Sequence, residues 1–226
     1  MSTIFEHPYH VWRQLQHGQE KIIRWSVWLE KYPKEIREQN GHEHRCSVGF
    51  LFTHSLIKIR PYLKLDELLL SRAIDLHDVP EGILGVDTPA PFKKDENDRD
   101  EYLAFEQLFK PLGEETWKEL QRCFLLQFAL ENPVCFPDDA RAVMDDIQKI
   151  HRNEALFFQG VQSVDYMYYC FECYHERGIN DLLVEICPRQ VPKLEKIASE
   201  LPGFKEVVWT PQVKDFFVKF WPEYKS

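Results

Sequence analysis

The sequence lacks long hydrophobic runs and any excess of positive charge. Its longest apolar stretches, such as CFLL and LLL, fall far short of the about 20 residues that a membrane span requires, so we expect a soluble protein. Lys and Arg number 28 against 37 Asp and Glu, which gives a formal net charge of −9. Because binding to nucleic acid depends on neutralising many phosphates, neither a nucleic acid polymer nor a membrane is an expected partner.

A secretion signal is also missing from the N-terminal sequence MSTIFEHPYH, which has neither a basic nor an apolar segment. The six cysteines are therefore expected to be reduced thiols of a cytoplasmic protein. Cys170 and Cys173 form a CxxC pair, but no second pair accompanies them, so core packing is favoured over zinc binding or redox chemistry.

Sustained alternation of apolar and polar residues is absent, whereas apolar residues recur at steps of three and four, which predicts an all-α fold. The 226 residues can form one sizeable core, and no repeat or linker divides them, so a single domain over 1–226 is expected. Residues 79–98, rich in Pro and Gly, are expected to form an irregular functional loop. The predicted helices are 9–32, 44–60, 65–78, 99–110, 113–131, 138–177 with a break, 180–199 and 209–221.

Four residues that can bind a metal fall on the apolar faces of these predicted helices: His44, His77, Asp78 and Asp165. Apolar residues one turn away from each histidine place both imidazoles on the inward side. An ionised Asp165 among Val and Tyr neighbours is costly unless it is paired or bound to a metal. Taken singly, each histidine can also be a hydrogen-bonded core residue, and Asp165 can pair with a core Arg or cap a helix break.

Together, two imidazoles and two carboxylates suit one first-row divalent ion, with Mn, Co, Fe and Mg all compatible. Such an ion makes bound water more acidic and neutralises charge on phosphoryl oxygens, so hydrolysis of a phosphate ester is the expected reaction. Glu81, three residues after Asp78, is close enough to orient the water or to protonate the leaving alkoxide. Its alternative is a surface Glu at a helix end.

The order His44, LHDVPEG with His77 and Asp78, and then Asp165 resembles the H…HD…D signature of HD-domain metal-dependent phosphohydrolases. The finer likeness is to small bacterial 5′-deoxynucleotidases. It extends over most of residues 20–182 and comprises RW at 24–25, EH at 43–44, HDVPE and GVDTPAPFK within 77–93, Tyr102 with Glu106, and Asp165 followed by Glu172 and GIN at 178–180. The resemblance implies a single-metal helical bundle, the same acid/base role for Glu81, and a homodimer. Residues 183–226 have no counterpart in it and are expected to form a C-terminal helical extension.

Substrate contacts follow from charge and from this resemblance. Arg24 can present a two-pronged guanidinium to phosphate oxygens, and Lys93 and Lys94 are further candidates. Trp25 can pack against the sugar, although a core role is the commoner one for such a Trp. The resemblance places Asp87 near the sugar 3′-hydroxyl.

The expected function is a 5′-deoxynucleotidase that releases orthophosphate from nucleoside 5′-monophosphates. A triphosphohydrolase of the same fold and a non-catalytic nucleotide-binding or scaffold protein are the alternatives. A di-iron oxygenase of this fold is disfavoured because it needs extra histidines, and residues 79–164 contain only His151. The aromatic tail 209–224 is expected to seal either the core or a dimer seam.

Overall fold

The computed structural model describes residues 8–88, 93–131 and 134–221, and these are predominantly helical, which confirms the all-α prediction. The elements are α1 (Pro8–Lys21), β1 (Ile23–Arg24), α2 (Ser26–Lys31), β2 (Gln39–Asn40), α3 (Gly41–Ile59), α4 (Glu67–Leu76), α5 (Val79–Leu84), α6 (Asp95–Phe109), α7 (Glu114–Leu125), α8 (Asp138–Ile150), α9 (Arg152–Arg177), α10 (Asp181–Glu200), α11 (Phe204–Val207) and α12 (Pro211–Val218). None of the helices in these ranges combines the length and the apolar character that a membrane span requires.

Helix α9 forms the centre of the core and packs against α3, α8 and α10. Phe52 of α3 meets Phe157 and Phe158 of α9 edge-on, with ring centroids 5.2 and 5.9 Å apart. Gly160 lets Phe204 of α11 approach the helix, since a Cβ at this position would clash with the Phe204 ring. Close packing of large rings around α9 fixes the helices that carry the predicted site residues.

The predicted continuous helix over 9–32 is wrong. Helix α1 ends at Lys21, and Ile23 and Arg24 then pair antiparallel with Asn40 and Gln39. Trp25 adopts a left-handed backbone with φ 65° before α2 begins. Pairing with a segment distant in sequence has overridden the local helical pattern, so Arg24 lies on a strand and not on a helix.

The predicted irregular loop over 79–98 is also wrong in part. Val79–Leu84 forms the short helix α5, which ends at Gly85 with φ 74°, a backbone conformation that suits glycine. Helix α6 begins at Asp95, where the Lys94 amide donates to Oδ1 of Asn97 at 2.9 Å. Residues 89–92, within the PxPxK part of the motif, lie outside the described residues.

Two helix ends in the second half of the chain agree with the prediction, but the helix predicted over 113–131 ends at Leu125, and turns follow it. The expected break in 138–177 falls at His151, and α9 ends at Gly178 with φ 73°. Helix α12 is shorter than predicted, and its aromatic residues pack inward. Phe216 contacts Phe171 of α9 at 4.8 Å between ring centroids, and Phe220 contacts Tyr174 at 5.4 Å. These rings therefore seal the core.

Candidate metal centre

His44, His77 and Asp78 converge in the interior of the molecule. Each offers one ligand atom, and the three atoms lie within 4.8 Å of one another. Oδ2 of Asp78 lies close to both rings, 3.1 Å from Nε2 of His77 and 3.4 Å from Nε2 of His44. All three side chains are buried. This group can hold a metal ion, as the sequence predicted.

Local helix signals place these three side chains. Helix α3 starts at Gly41 because Asn40 and Glu43 form a reciprocal capping box, with the Glu43 amide donating to Oδ1 of Asn40 at 2.8 Å. His44 follows in the first turn of α3. His77 caps the C-terminus of α4 and Asp78 caps the N-terminus of α5, so the sharp α4–α5 junction turns both side chains toward α3.

The surroundings of the two ring nitrogens of His77 indicate that the group suits a cation. Nδ1 of His77 lies 2.7 Å from the carbonyl oxygen of Ile74, and because a carbonyl only accepts, Nδ1 carries the proton. In this tautomer Nε2 is an acceptor. It is buried without a hydrogen-bond partner, and the oxygen 3.1 Å away on Asp78 is also an acceptor and is not aligned for a hydrogen bond. Two buried acceptors face each other, and a cation bound by both removes their repulsion.

Asp165 reaches His44 from the other side. Its Oδ2 lies 3.3 Å from Nδ1 of His44, and its Oδ1 accepts a hydrogen bond from Oγ of Ser47 at 3.3 Å. Burial, followed by the charge of Arg24, lowers the pKa of His44 in spite of this carboxylate, which leaves the ring neutral as a ligand requires. Asp165 thus contacts His44 at the edge of the centre. It is not among the three residues whose ligand atoms converge.

Arg24 lies in contact with the centre. Its Nη1 donates to Oδ2 of Asp78 at 2.6 Å and to Oε2 of Glu81 at 3.2 Å, and its Nη2 donates to the Tyr166 hydroxyl at 3.4 Å. Burial works against its charge, but Asp78 and Glu81 outweigh burial and raise the pKa of the guanidinium. The predicted phosphate-binding side chain is therefore engaged with two carboxylates.

The carboxylates of Asp78 and Glu81 have opposite electrostatic environments. Burial favours the neutral form of Asp78, but the charge of Arg24 outweighs it and holds the pKa of Asp78 well below its usual range. Burial and the Asp78 charge raise the pKa of Glu81 well above its usual range. The two carboxyls therefore differ strongly in how readily each gives up its proton, which is a pattern that acid/base chemistry uses.

Lys93 is held by two acidic residues of α6. Its Nζ donates to Oε2 of Glu101 at 2.7 Å and lies 3.0 Å from Oδ1 of Asp98. Burial raises the pKa of Glu101 to about 7, although Lys93 opposes the shift. Burial opposes the charge of Lys93, but Glu101 and Asp98 outweigh burial and raise the pKa of Lys93, whereas Lys94 is exposed.

Trp25 and Asp87 are joined through the backbone, because the Trp25 amide donates to Oδ2 of Asp87 at 3.2 Å. The Trp25 ring is buried and stacks on Tyr169, with centroids 4.4 Å apart and an interplanar angle of 12°. It meets Tyr166 edge-on at 5.6 Å. The structure thus places this ring in the aromatic packing beside the centre, which agrees with the core role weighed for it.

Sequence reasoning missed Ser47, Tyr166 and Glu101. Ser47 lies three residues after His44, and Tyr166 directly follows Asp165, so proximity along a helix could have indicated both. Glu101 has no such signal, because Lys93 precedes α6 and Glu101 lies within it, so no shared helical face in the sequence joins the two side chains.

Comparison of the chain with protein-family models, with curated proteins and with solved structures finds no match.

Proposed function

We propose that this chain is a metal-dependent phosphohydrolase of the HD-domain type that removes orthophosphate from nucleoside 5′-monophosphates, with deoxynucleotides as the favoured class. The observation that carries the proposal is the buried Nε2 of His77. It faces Oδ2 of Asp78 without a hydrogen-bond partner, beside Nε2 of His44 and next to Glu81.

In the proposed site, His44, His77 and Asp78 hold one ion, for which Mn, Co, Fe and Mg are candidates. Such an ion lowers the pKa of coordinated water and neutralises charge on phosphoryl oxygens. Asp165 accepts the Nδ1 proton of His44, which orients Nε2 toward the ion, and can also serve as the fourth ligand that the sequence motif suggests.

Glu81 is the proposed proton donor. Burial and the charge of Asp78 raise its pKa and favour the protonated carboxyl, which can give its proton to the 5′-oxygen of the nucleoside as the phosphorus–oxygen bond breaks. The oxygen of a water molecule forms the new bond to phosphorus, and the proton that this water releases restores the Glu81 carboxyl. Arg24, which lies within hydrogen-bond distance of Glu81 and Asp78, is positioned to contact phosphate oxygens, and Lys93 supplies the second positive charge.

The test is phosphate release from a panel of nucleoside mono- and triphosphates. Metal-stripped protein is reloaded separately with Mn, Co, Mg and Zn, and the products are identified. Metal-dependent release of orthophosphate from deoxynucleoside monophosphates is the expected result. Release of tripolyphosphate from triphosphates would redirect the assignment to the related reaction, and absence of hydrolysis with every ion would contradict a hydrolase.

A further inference from the structure

Several buried polar atoms have no hydrogen-bond partner, and some of them belong to residues at or beside the candidate centre. Among the described residues they include both amide atoms of Gln19, Nε of Arg24 and Oε1 of Gln39, in addition to Nε2 of His77. A buried polar atom that gains no hydrogen bond destabilises the fold, so most such atoms in proteins have a partner. Unpartnered atoms next to a candidate site are therefore candidates for ligand recognition.

Gln39 occupies the inner face of the two-stranded ladder. It is the direct partner of Arg24, and the side chains of directly paired residues lie on the same face. That face is buried, since Arg24 is 3% and Gln39 6% exposed, whereas Ile23 on the opposite face is 50% exposed. Arg24 contacts Asp78 from this face, so the Gln39 amide stands beside the guanidinium that borders the centre.

Gln19 differs from Gln39 in its surroundings, although it also lacks partners. It is 1% exposed and is wedged between two helix backbones. A Cβ on Gly41 would lie 3.5 Å from the Cβ of Gln19, and a Cβ on Gly82 would lie 3.3 Å from its Cγ. These contacts place Gln19 in the packing of α1 against α3 and α5. Gln19 is thus a control for Gln39, with the same side chain and with both amide atoms unpartnered, whereas Gln39 lacks a partner at Oε1.

We propose that Gln39 is a specificity-determining residue whose Oε1 accepts a hydrogen bond from a hydroxyl or N–H group of the nucleoside. The inference rests on the proposed function. Arg24 and Lys93 provide the positive charge that a phosphate requires, whereas a neutral amide oxygen suits a neutral hydrogen-bond donor. A substrate with that donor satisfies Oε1, and one without it leaves Oε1 buried and unpaired, which is a strong basis for discrimination.

The experiment compares Gln39→Leu with Gln19→Leu in the metal-loaded protein. Two properties are measured: kcat/KM for the best nucleoside monophosphate, and the Kd of orthophosphate by isothermal titration. For Gln39→Leu we expect kcat/KM to fall by about tenfold or more, as for loss of one hydrogen bond to a substrate, while the orthophosphate Kd changes less than about twofold. The Tm should stay the same or rise, because Leu removes an unsatisfied acceptor.

Gln19→Leu should leave both kcat/KM and the orthophosphate Kd within about threefold of wild type, since the Gln19 side chain is enclosed by the packing of α1 against α3 and α5. The specificity role would be overturned if Gln39→Leu weakened orthophosphate binding by the same factor as it lowered kcat/KM. It would also be overturned if kcat/KM were unchanged. Both results leave the proposed hydrolase in place. If the wild-type protein hydrolyses no nucleotide, the proposed function fails and the role of Gln39 fails with it.

Discussion

Helix α9 passes through two buried regions in which the ionisable groups have different partners. Near its middle, Asp165 contacts His44 and Ser47 and so joins the network of the candidate centre. Five residues further on, Cys170 is equally buried, and desolvation raises the pKa of its thiol well above the usual range. The first region contains charges held by partners, and the second contains neutral thiols.

The difference shows that burial alone does not make a site. Cys170 has no cation among the neighbours that shift its pKa, so burial leaves the thiol protonated and inert. Asp78 is also buried, but the charge of Arg24 outweighs desolvation and holds the pKa of Asp78 well below its usual range. Chemical function is therefore expected where the cost of burying a charge is offset by nearby partners, which is the case only in the first of these two regions.

The largest expected effect comes from neutralising the carboxylate of Asp78. Asp78→Asn should abolish metal binding and phosphate release, and it should cost about 3–5 kcal/mol of stability because Arg24 loses its closest anionic partner. Metal content by mass spectrometry and urea denaturation test this. Asp75→Asn, on the exposed side of α4, is the control and should retain metal. Full metal content in the Asp78→Asn variant would contradict the assigned centre.

Glu81→Gln separates proton donation from metal binding. The variant should retain the metal but lose about 10²- to 10⁴-fold in kcat, because Gln cannot donate the proton to the leaving oxygen. Glu106→Gln, which breaks a surface ion pair with Lys110, should have wild-type kcat. Rates and metal content are measured on the same samples, and unchanged turnover in Glu81→Gln would rule out its acid/base role.

Asp165→Asn tests whether α9 contributes to the centre through His44. Loss of the negative partner of Nδ1 should weaken metal affinity by about 10–100-fold, the usual effect of removing a group that orients a metal ligand. Ser47→Ala removes only the hydroxyl that donates to Asp165 and should have a smaller effect. Isothermal titration with Mn or Co gives both affinities. Equal metal affinity in the Asp165→Asn variant and wild type would show that α9 does not contribute to metal binding.

Glu101 is intermediate between Asp78 and Cys170. It has a cationic partner, but burial still raises its pKa to about 7. Its carboxyl keeps a proton in the folded state that the unfolded chain releases from about pH 4.5 upward, so this group's contribution to stability falls as pH rises to 7. The contribution is up to about 3 kcal/mol, at about 1.4 kcal/mol per pKa unit.

Glu101→Gln should remove that dependence. Urea denaturation at pH 5 and pH 7.5 should therefore show the variant gaining stability relative to wild type as pH rises. A difference between the two proteins that is the same at both pH values would mean that Glu101 titrates normally.

The smallest effect is expected in the thiol region. Cys173→Ala should cost about 1 kcal/mol through lost packing and leave metal content unchanged. In the native protein, exposed Cys46 should react with a thiol reagent at once, whereas buried Cys170, Cys173 and Cys187 should react only on unfolding. Rapid labelling of the buried thiols would show that this interior opens readily.

Much of the helical fold could be predicted from the sequence, because periodic apolar residues and helix-ending signals are local. The break at His151 and the end of α9 at Gly178 are examples. The predictions failed where distant segments meet. Arg24 was assigned to a helix, but pairing with Gln39 places it on a strand, and α5 occupies part of the predicted loop.

Periodic apolar residues are sufficient to predict that the fold is α-helical and that the imidazoles of His44 and His77 face the interior, since this periodicity fixes which side of a helix a residue occupies. The tertiary structure was needed to show that the ligand atoms of these histidines and of Asp78 lie within 4.8 Å of one another. It alone decided that Arg24 is bound to Asp78 and Glu81, and that Asp165 reaches the centre through His44. The reason is that electrostatic interactions and hydrogen bonds depend on distances of a few ångströms between residues far apart in the chain, and helical periodicity carries no information about those distances.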